Sequence, residues 1–308
     1  MKKLVKRIAS AVFGRQAPRI PDRETQLLAM GALLSNQQKQ LSSTQISHYE
    51  FRIFSQFGDD GIIQYLVNNL EAVNKTFVEF GVENFLESNT RFLMMHSNWS
   101  GFVMDGSKSN MDSLTNYDWF WKYDLRCEAV FIDRDNINPL LQKTGFQDLG
   151  LLHIDLDGND YHILEVLDFS TLNPAILIME YNAVFGSTRP ITVPYSKDFY
   201  RTKAHFSNLY FGASLPAITL LAEKKGYKLI GCNEAGNNAY FIRKDLLNER
   251  IRATSVESAF REARFRESRD QHGSLSLLRS SERQNQIQDM EVINVVTGQT
   301  ESIGPAAL

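Results

Sequence analysis

Cysteine is nearly absent from this 308-residue sequence. The two that occur, Cys127 and Cys232, are too few for a disulfide framework. Both sit in apolar runs and read as reduced, buried small hydrophobes in a reducing compartment. No run approaches the roughly 18 uninterrupted apolar residues of a membrane span. The first 21 residues, MKKLVKRIASAVFGRQAPRIP, do not read as a secretion signal, because Lys6 and Arg7 interrupt the apolar positions and no long apolar core follows. The chain is therefore expected in the cytoplasm. An excess of one charge is also missing: 33 Lys and Arg stand against 36 Asp and Glu, a net charge of −3. That balance excludes a basic nucleic-acid coat and a polyacidic tail. Hydrophobic residues make up 43%, which argues against wholesale disorder. The length suffices for one large core with appendages.

Three segments are expected: residues 1–45, 46–248 and 249–308. In residues 1–20, Leu4, Val5, Ile8, Ala11 and Val12 share one helical arc and Lys2, Lys3, Lys6 and Arg7 lie opposite. Such a basic amphipathic helix suits peripheral contact with the inner membrane face, or packing on a partner. A second helix is expected over 22–34 with Asp22 as its cap, followed by the polar linker 35–45. Then short β-rich runs appear at 76–82, 101–106, 127–133, 149–158, 174–182, 227–233 and 238–246. Helical stretches at 86–97, 107–121, 136–143, 159–168 and 212–225 separate the first six. Ser214 caps the last of these and Gly226 ends it. Strand–helix alternation with nearly all-apolar strands implies a parallel sheet covered on both faces. Glu234-Ala235-Gly236-Asn237 implies an antiparallel hairpin at the end. Residues 249–308 read as an accessory or self-association element, with a charged helix in ESAFREARFRESRD and a hairpin in IQDMEVINVVTG.

This α/β element order resembles that of the Rossmann-like class I methyltransferases. The resemblance implies a sheet ordered 3-2-1-4-5-7-6 with strand 7 antiparallel, flanked here by N-terminal helices and a small C-terminal extension. It also implies S-adenosylmethionine as cofactor. Ligands of open parallel sheets bind beyond the carboxyl ends of the strands. Strand 1 ends in Glu79-Phe80-Gly81, which the resemblance makes the holder of the cofactor's amino-acid end; an ordinary strand–helix turn is the plainer alternative. Strand 2 ends in Asp105, which resembles the acid that accepts hydrogen bonds from ribose hydroxyls, or else caps the next helix. Asp133, ending strand 3, is expected near the adenine.

Strand 4 carries the strongest signal, HIDLDGNDY. Residues i and i+2 of a strand share a face, so Asp155 and Asp157 are expected to point together, with Asp160 capping the next helix. Glu180 and Asn182 form a second such pair on neighbouring strand 5. An acid cluster of this kind binds a hard divalent cation such as Mg²⁺, keeps one carboxyl protonated for acid–base work, or binds hydroxyls and a sulfonium. Asp155, Asp157 and Glu180 are the candidate metal ligands and, with His205, the candidate catalytic residues. Calcium-loop geometry fails, because Gly158 falls at the fourth position and not the sixth. The Asp-x-Asp of a metal-dependent glycosyltransferase stays open as an alternative. The insertion 183–211 mixes aromatic and basic residues, which suits a sugar carrying a phosphate or carboxylate. His153 is expected to be buried and satisfied, and Asp59 and Asp60 to cap a helix.

Ser-Gln-x-Gly-Asp-Asp-Gly (55–61), together with EFG, IDLDGNDY, EYN, YFGAS and the Gly-Asn-Asn-Ala-Tyr-Phe-x-Arg ending, resembles the FkbM-like bacterial methyltransferases over roughly residues 55–246. That resemblance implies O-methylation of a sugar hydroxyl in surface-glycan biosynthesis. A non-catalytic scaffold held at a membrane by residues 1–20 is the remaining alternative.

Overall fold

The computed structural model describes residues 23–71 and 73–306. The basic segment 1–20 and the expected cap Asp22 lie outside the described residues. Seven strands form the main sheet: β1 (Thr76–Phe80), β2 (Ser100–Asp105), β3 (Leu125–Ala129), β4 (Leu151–Ile154), β5 (Ile176–Glu180), β7 (Tyr227–Cys232) and β8 (Asn238–Arg243). Between the last three falls a two-residue strand, β6 (Ile191–Thr192), which the sequence pattern does not signal. The order is β3-β2-β1-β4-β5-β8-β7, with β8 antiparallel to both neighbours. This is the expected 3-2-1-4-5-7-6, the expected sixth and seventh strands being β7 and β8.

Alternation along the strands sorts side chains onto two faces. Val78, Phe80, Met104, Leu152, Ile154, Leu177 and Met179 meet helices Ile137–Gln142, Asp160–Val166 and Leu215–Lys224 on one side. Phe77, Val103, Leu151, Ile176, Ile178, Tyr240 and Ile242 meet helices Asp59–Asn69, Arg91–Ser97 and Lys108–Thr115 on the other. Helix Leu215–Lys224 begins as expected, with the Ser214 side chain accepting the Ala217 amide and a proline in its first turn. Near the carboxyl ends the second face turns polar: Glu79 of β1 lies beside His153 of β4, and Glu180 of β5 opposite Asn238 of β8.

Several expected boundaries shift, and the shifts matter for the site. β4 stops at Ile154, so Asp155 and Asp157 belong to a turn and not to a pleated strand. Asp157 takes φ +52, so a turn brings the two acids together, not strand periodicity. β5 stops at Glu180; Asn182 accepts the Val184 amide and donates to the carbonyls of Leu209 and Phe211. Asn182 is thus a loop anchor, not the partner of Glu180. Asp59 and Asp60 are not caps either: Gly58 holds the cap position, and both acids are buried in the first turn. Asp60 Oδ2 takes the amides of Ile53, Phe54 and Ser55, while Asp59 takes the side chains of Asn233, Asn238 and Tyr240. Asn159, not Asp160, is the cap residue of the helix after β4.

The C-terminal region departs further. Of the expected charged helix, 257–270, only the first three residues are helical, within Val256–Ala259. Beyond it the backbone bonds to other segments in place of its own carbonyls: Arg264 N donates to Ala235, and Arg269 N to Ser207. Arg261 and Arg264 both reach Glu234, fixing the strap across the sheet's carboxyl edge. A hairpin does form, as β9 (Glu291–Asn294) and β10 (Thr300–Ser302), but its second strand falls beyond the expected segment 287–298, and β9 pairs with β6 of the 183–211 insertion. Cys127 is half-buried and Cys232 buried; both are free. No helix among the described residues is long and apolar enough to cross a membrane.

Candidate functional site

Two chambers open at the carboxyl ends of β1, β2, β4 and β5. The first, of about 510 Å³, is lined by Gly81, Asp105, Phe131, Asp155 and Tyr200, among others. The sequence explains its floor. Gly81 has φ +69, and a Cβ there would lie 1.8 Å from the carbonyl oxygen of Asp155. Only glycine lets β1 turn so close to the end of β4. Asp105 Oδ2 accepts the Glu83 amide at 2.9 Å, and Oδ1 accepts the Ser107 amide at 2.7 Å. Oδ1 also accepts from Asn110 Nδ2 at 3.5 Å, and Oδ2 keeps a lone pair for a further donor. The rings of Phe131 and Tyr200 lie 5.5 Å apart and provide an apolar wall. A chamber of this size, with an acid at the end of β2 and an aromatic face, fits a nucleoside.

Asp155, Asp157 and Glu180 meet where the first chamber joins the second. One carboxylate oxygen from each lies within 4.8 Å of the others. Asp160 shapes the turn that brings them there, accepting the amides of Leu156 (2.7 Å) and Gly158 (3.0 Å). Phe199 of the insertion packs where a Cβ on Gly158 would sit. Burial, reinforced by the charge of Asp157, pushes the Asp155 carboxyl up to about 8. Burial, then the charges of Asp155 and Asp157, raises Glu180 well above the usual carboxylate range. Burial also lifts Asp160 to about 6 against the pull of its two amides. Such a set either shares protons or binds a cation, and its oxygen-only donors fit a hard divalent ion.

Arg201, from the insertion, braces this cluster. Its Nη1 lies 2.8 Å from Asp157, its Nη2 pairs with Glu267, and its Nε donates to the Asn208 carbonyl at 2.7 Å. The guanidinium also stacks 3.7 Å from the centre of the Phe211 ring. Glu267 comes from the C-terminal strap, so that strap is part of the site.

The second chamber, of about 370 Å³, is more polar. Glu79, His153, Glu180, Asn238, Phe57 and Phe265 are on its walls. Glu79 is fully engaged by the protein. Its oxygens accept from the Ser88 and Thr90 hydroxyls, the Asn89 and Thr90 amides, and His153 Nδ1 at 3.0 Å. Burial opposes its charge, but His153, Ser88 and Thr90 outweigh that and hold its carboxyl below the usual range. The same contact raises His153 against its own burial. Phe57 and Phe265 stack with centroids 5.6 Å apart. Two buried atoms of its wall residues find no partner, Glu180 Oε2 and Asn238 Oδ1.

The structure thus brings Asp155, Asp157 and Glu180 together and sets Gly81 and Asp105 on the first chamber. Glu79 lines the second chamber, with its oxygens taken. Asp133 is on neither wall: it accepts the amides of Asp135 and Asn136 and pairs with Lys197 at 3.0 Å. His205 also stands off both chambers, its Nδ1 2.7 Å from Ser207 Oγ. The insertion's basic residues do not form the expected anion site. Lys197 pairs with Asp133 and Asp135, Arg189 with Glu301 and nearby carbonyls, and Lys203 lies over the Tyr200 ring. Sequence reasoning missed Arg201 as a brace, Phe57, Phe265, Glu267 and Asn238. Of these, Asn238 lay at a specified position of a quoted motif and Phe57 at the open position of another.

No family model and no curated protein matches this sequence. Solved structures with a similar chain course include an O-methyltransferase from Bacillus cereus in complex with SAH, 12% identical, covering 78% of this chain and 96% of that one, TM-score 0.37. A S-adenosylmethionine-dependent methyltransferase from Clostridium acetobutylicum is 9% identical over 60% of this chain and 89% of its own, TM-score 0.38. A putative O-methyltransferase from Klebsiella pneumoniae is 11% identical over 77% and 94%, TM-score 0.34. The fold reading rests on the strand order and not on these distant likenesses: the chain has the Rossmann-like sheet β3-β2-β1-β4-β5-β8-β7, the order of the class I methyltransferases.

Proposed function

We propose that the protein is an S-adenosylmethionine-dependent O-methyltransferase acting on a sugar hydroxyl, in surface-glycan biosynthesis. The observation that carries this reading is the meeting of Asp155, Asp157 and Glu180 at the junction of a nucleoside-sized chamber and a polar one. The cofactor, when bound, supplies a methyl group on a cationic sulfur. Asp105 would accept its ribose hydroxyls, and Phe131 would face its base. Glu79 is not proposed as a cofactor ligand, because its oxygens are engaged by Ser88, Asn89, Thr90 and His153. The acids at the junction favour a cationic centre through simple Coulomb attraction.

The acceptor hydroxyl would be held by Asp157 and Glu180, directly or across Mg²⁺. Asp155 would take its proton as the oxygen–carbon bond forms. A carboxyl pushed to about 8 suits that role, since a general base works best with a pKa near the working pH. Alignment of the hydroxyl by fixed carboxylates supplies much of the rate in a displacement of this kind.

Calorimetry tests the reading. The full chain is expected to bind S-adenosylmethionine and S-adenosylhomocysteine. Asp105→Ala is expected to lose about tenfold or more in affinity, the worth of a hydrogen bond to a charged acceptor. Absence of binding by the wild-type chain refutes the proposal, and Mn²⁺-dependent binding of a nucleotide sugar in its place turns it towards glycosyl transfer.

A further inference from the structure

The second chamber has a one-sided chemistry. Its unpartnered buried atoms are Glu180 Oε2 and Asn238 Oδ1; the amide oxygen can only accept, and the carboxyl oxygen accepts once Glu180 is ionised. Glu180 is 7% exposed and Asn238 3%. They are register partners across β5 and β8, so their side chains stand on the same face, directly opposite each other. The Asn238 amide is oriented by its own bond: Nδ2 donates to Asp59 Oδ1 at 3.0 Å, which leaves Oδ1 as the free end. A carboxylate oxygen of Asp155 lies within 4.8 Å of one from Glu180. A buried acceptor without a donor costs free energy, so the missing partner is a ligand rich in N–H or O–H groups.

Charge narrows the class. Seven acids line the chamber, five of them besides Asp155 and Glu180, against Arg201 and His153. Both cations are already engaged, Arg201 by Asp157 and Glu267 and His153 by Glu79. No basic side chain on these walls is left for a phosphate or carboxylate. The field favours a positive ligand even if a divalent cation neutralises two of the acids. Phe57 and Phe265 add an apolar strip that suits the C–H face of a pyranose.

We propose that this chamber takes an acceptor bearing a primary ammonium, an amino sugar, whose three N–H donors are met by Glu180 Oε2, Asn238 Oδ1 and a carboxyl oxygen of Asp155. The inference rests on the second chamber being the acceptor's, as the methyltransferase reading has it. It replaces the anionic sugar suggested by the basic residues of the insertion.

The test is calorimetry on the full chain, with and without S-adenosylhomocysteine, in EDTA and in MgCl₂. Glucosamine, glucose and glucose 6-phosphate are the probes. Glucosamine is expected to bind at least about tenfold more tightly than glucose, in EDTA as well as in MgCl₂, as a charge-assisted contact allows. Glucose 6-phosphate is expected not to bind. Glu180→Gln, which keeps the shape and removes the charge, is expected to erase the preference. The inference is overturned if glucosamine does not bind, if glucose binds as well, if the preference survives in Glu180→Gln, or if binding needs Mg²⁺ and ignores the amine. Loss of S-adenosylhomocysteine binding with the amine preference intact would sink the methyltransferase reading alone.

Discussion

Replacing Arg201 with glutamine should loosen the site from two sides at once. The guanidinium holds Asp157 of the β4 turn and Glu267 of the C-terminal strap, besides the Asn208 carbonyl and the Phe211 ring. The contacts are unequal. The Asp157 side chain is 62% exposed, so its arm is worth about 0.5 kcal/mol after solvent screening. The Glu267 side chain is 33% exposed and shares a guanidinium only 13% exposed, so that arm is worth roughly 1.5 kcal/mol. The Phe211 stack adds about 1 kcal/mol, and an unpaired Asn208 carbonyl about as much again. Arg201→Gln is thus expected to cost about 3 kcal/mol in urea unfolding, non-additivity included. Double-mutant cycles with Glu267→Gln and Asp157→Asn separate the arms, and the Glu267 coupling should be the larger. A coupling to Glu267 below about 0.3 kcal/mol, or one smaller than that to Asp157, would refute the idea that the strap is locked through this guanidinium.

Gly81→Ala should be among the most damaging single-methyl changes in the chain. It combines a positive φ with a carbonyl oxygen 1.8 Å from the new Cβ, so a loss of about 3 kcal/mol or more is expected, and a thermal midpoint within a degree or two of wild type would contradict it. Asp155 predicts a pH dependence with a definite sign. The native carboxyl keeps its proton to about 8 while the unfolded one releases it near 3.8, so the stability it contributes is present at low pH and is lost as pH rises between those values. Asp155→Asn should therefore gain on wild type in urea midpoint at pH 9 relative to pH 5, and methyl transfer by the wild type should rise through a limb near pH 8; a parallel shift of both proteins with pH would remove the assignment.

Strand positions were legible because apolar β-branched runs and capped helices are local signals, whereas the strand order followed from the resemblance to the class I methyltransferases. Ser214 and Gly226, for instance, mark one helix from both ends. The acids at the site were legible as residue types, but the reason for their meeting was not. Strand periodicity suggested a shared face for Asp155 and Asp157, whereas a left-handed residue and the Asp160 amide bonds bring them together. The C-terminal strap was misread because charged residues at helical spacing carry no information about tertiary partners. Its arginines find Glu234, and its backbone finds Ala235 and Ser207, contacts that no local pattern encodes. Arg201 was hidden for the same reason: among several basic residues of one insertion, only the fold decides which becomes enclosed.

The strap also fixes an order of events on the ribosome. Every strand of the main sheet has been made once Arg243 is added, so the first chamber's floor can take shape then. Phe265 and Glu267 follow only later, at roughly 5–20 residues per second. For that interval Arg201 has one carboxylate and not two, and the polar chamber stands open along one side. A nascent chain interrupted there would be a folded sheet with an unfinished site, its first chamber lacking Glu267 and its second lacking both Phe265 and Glu267.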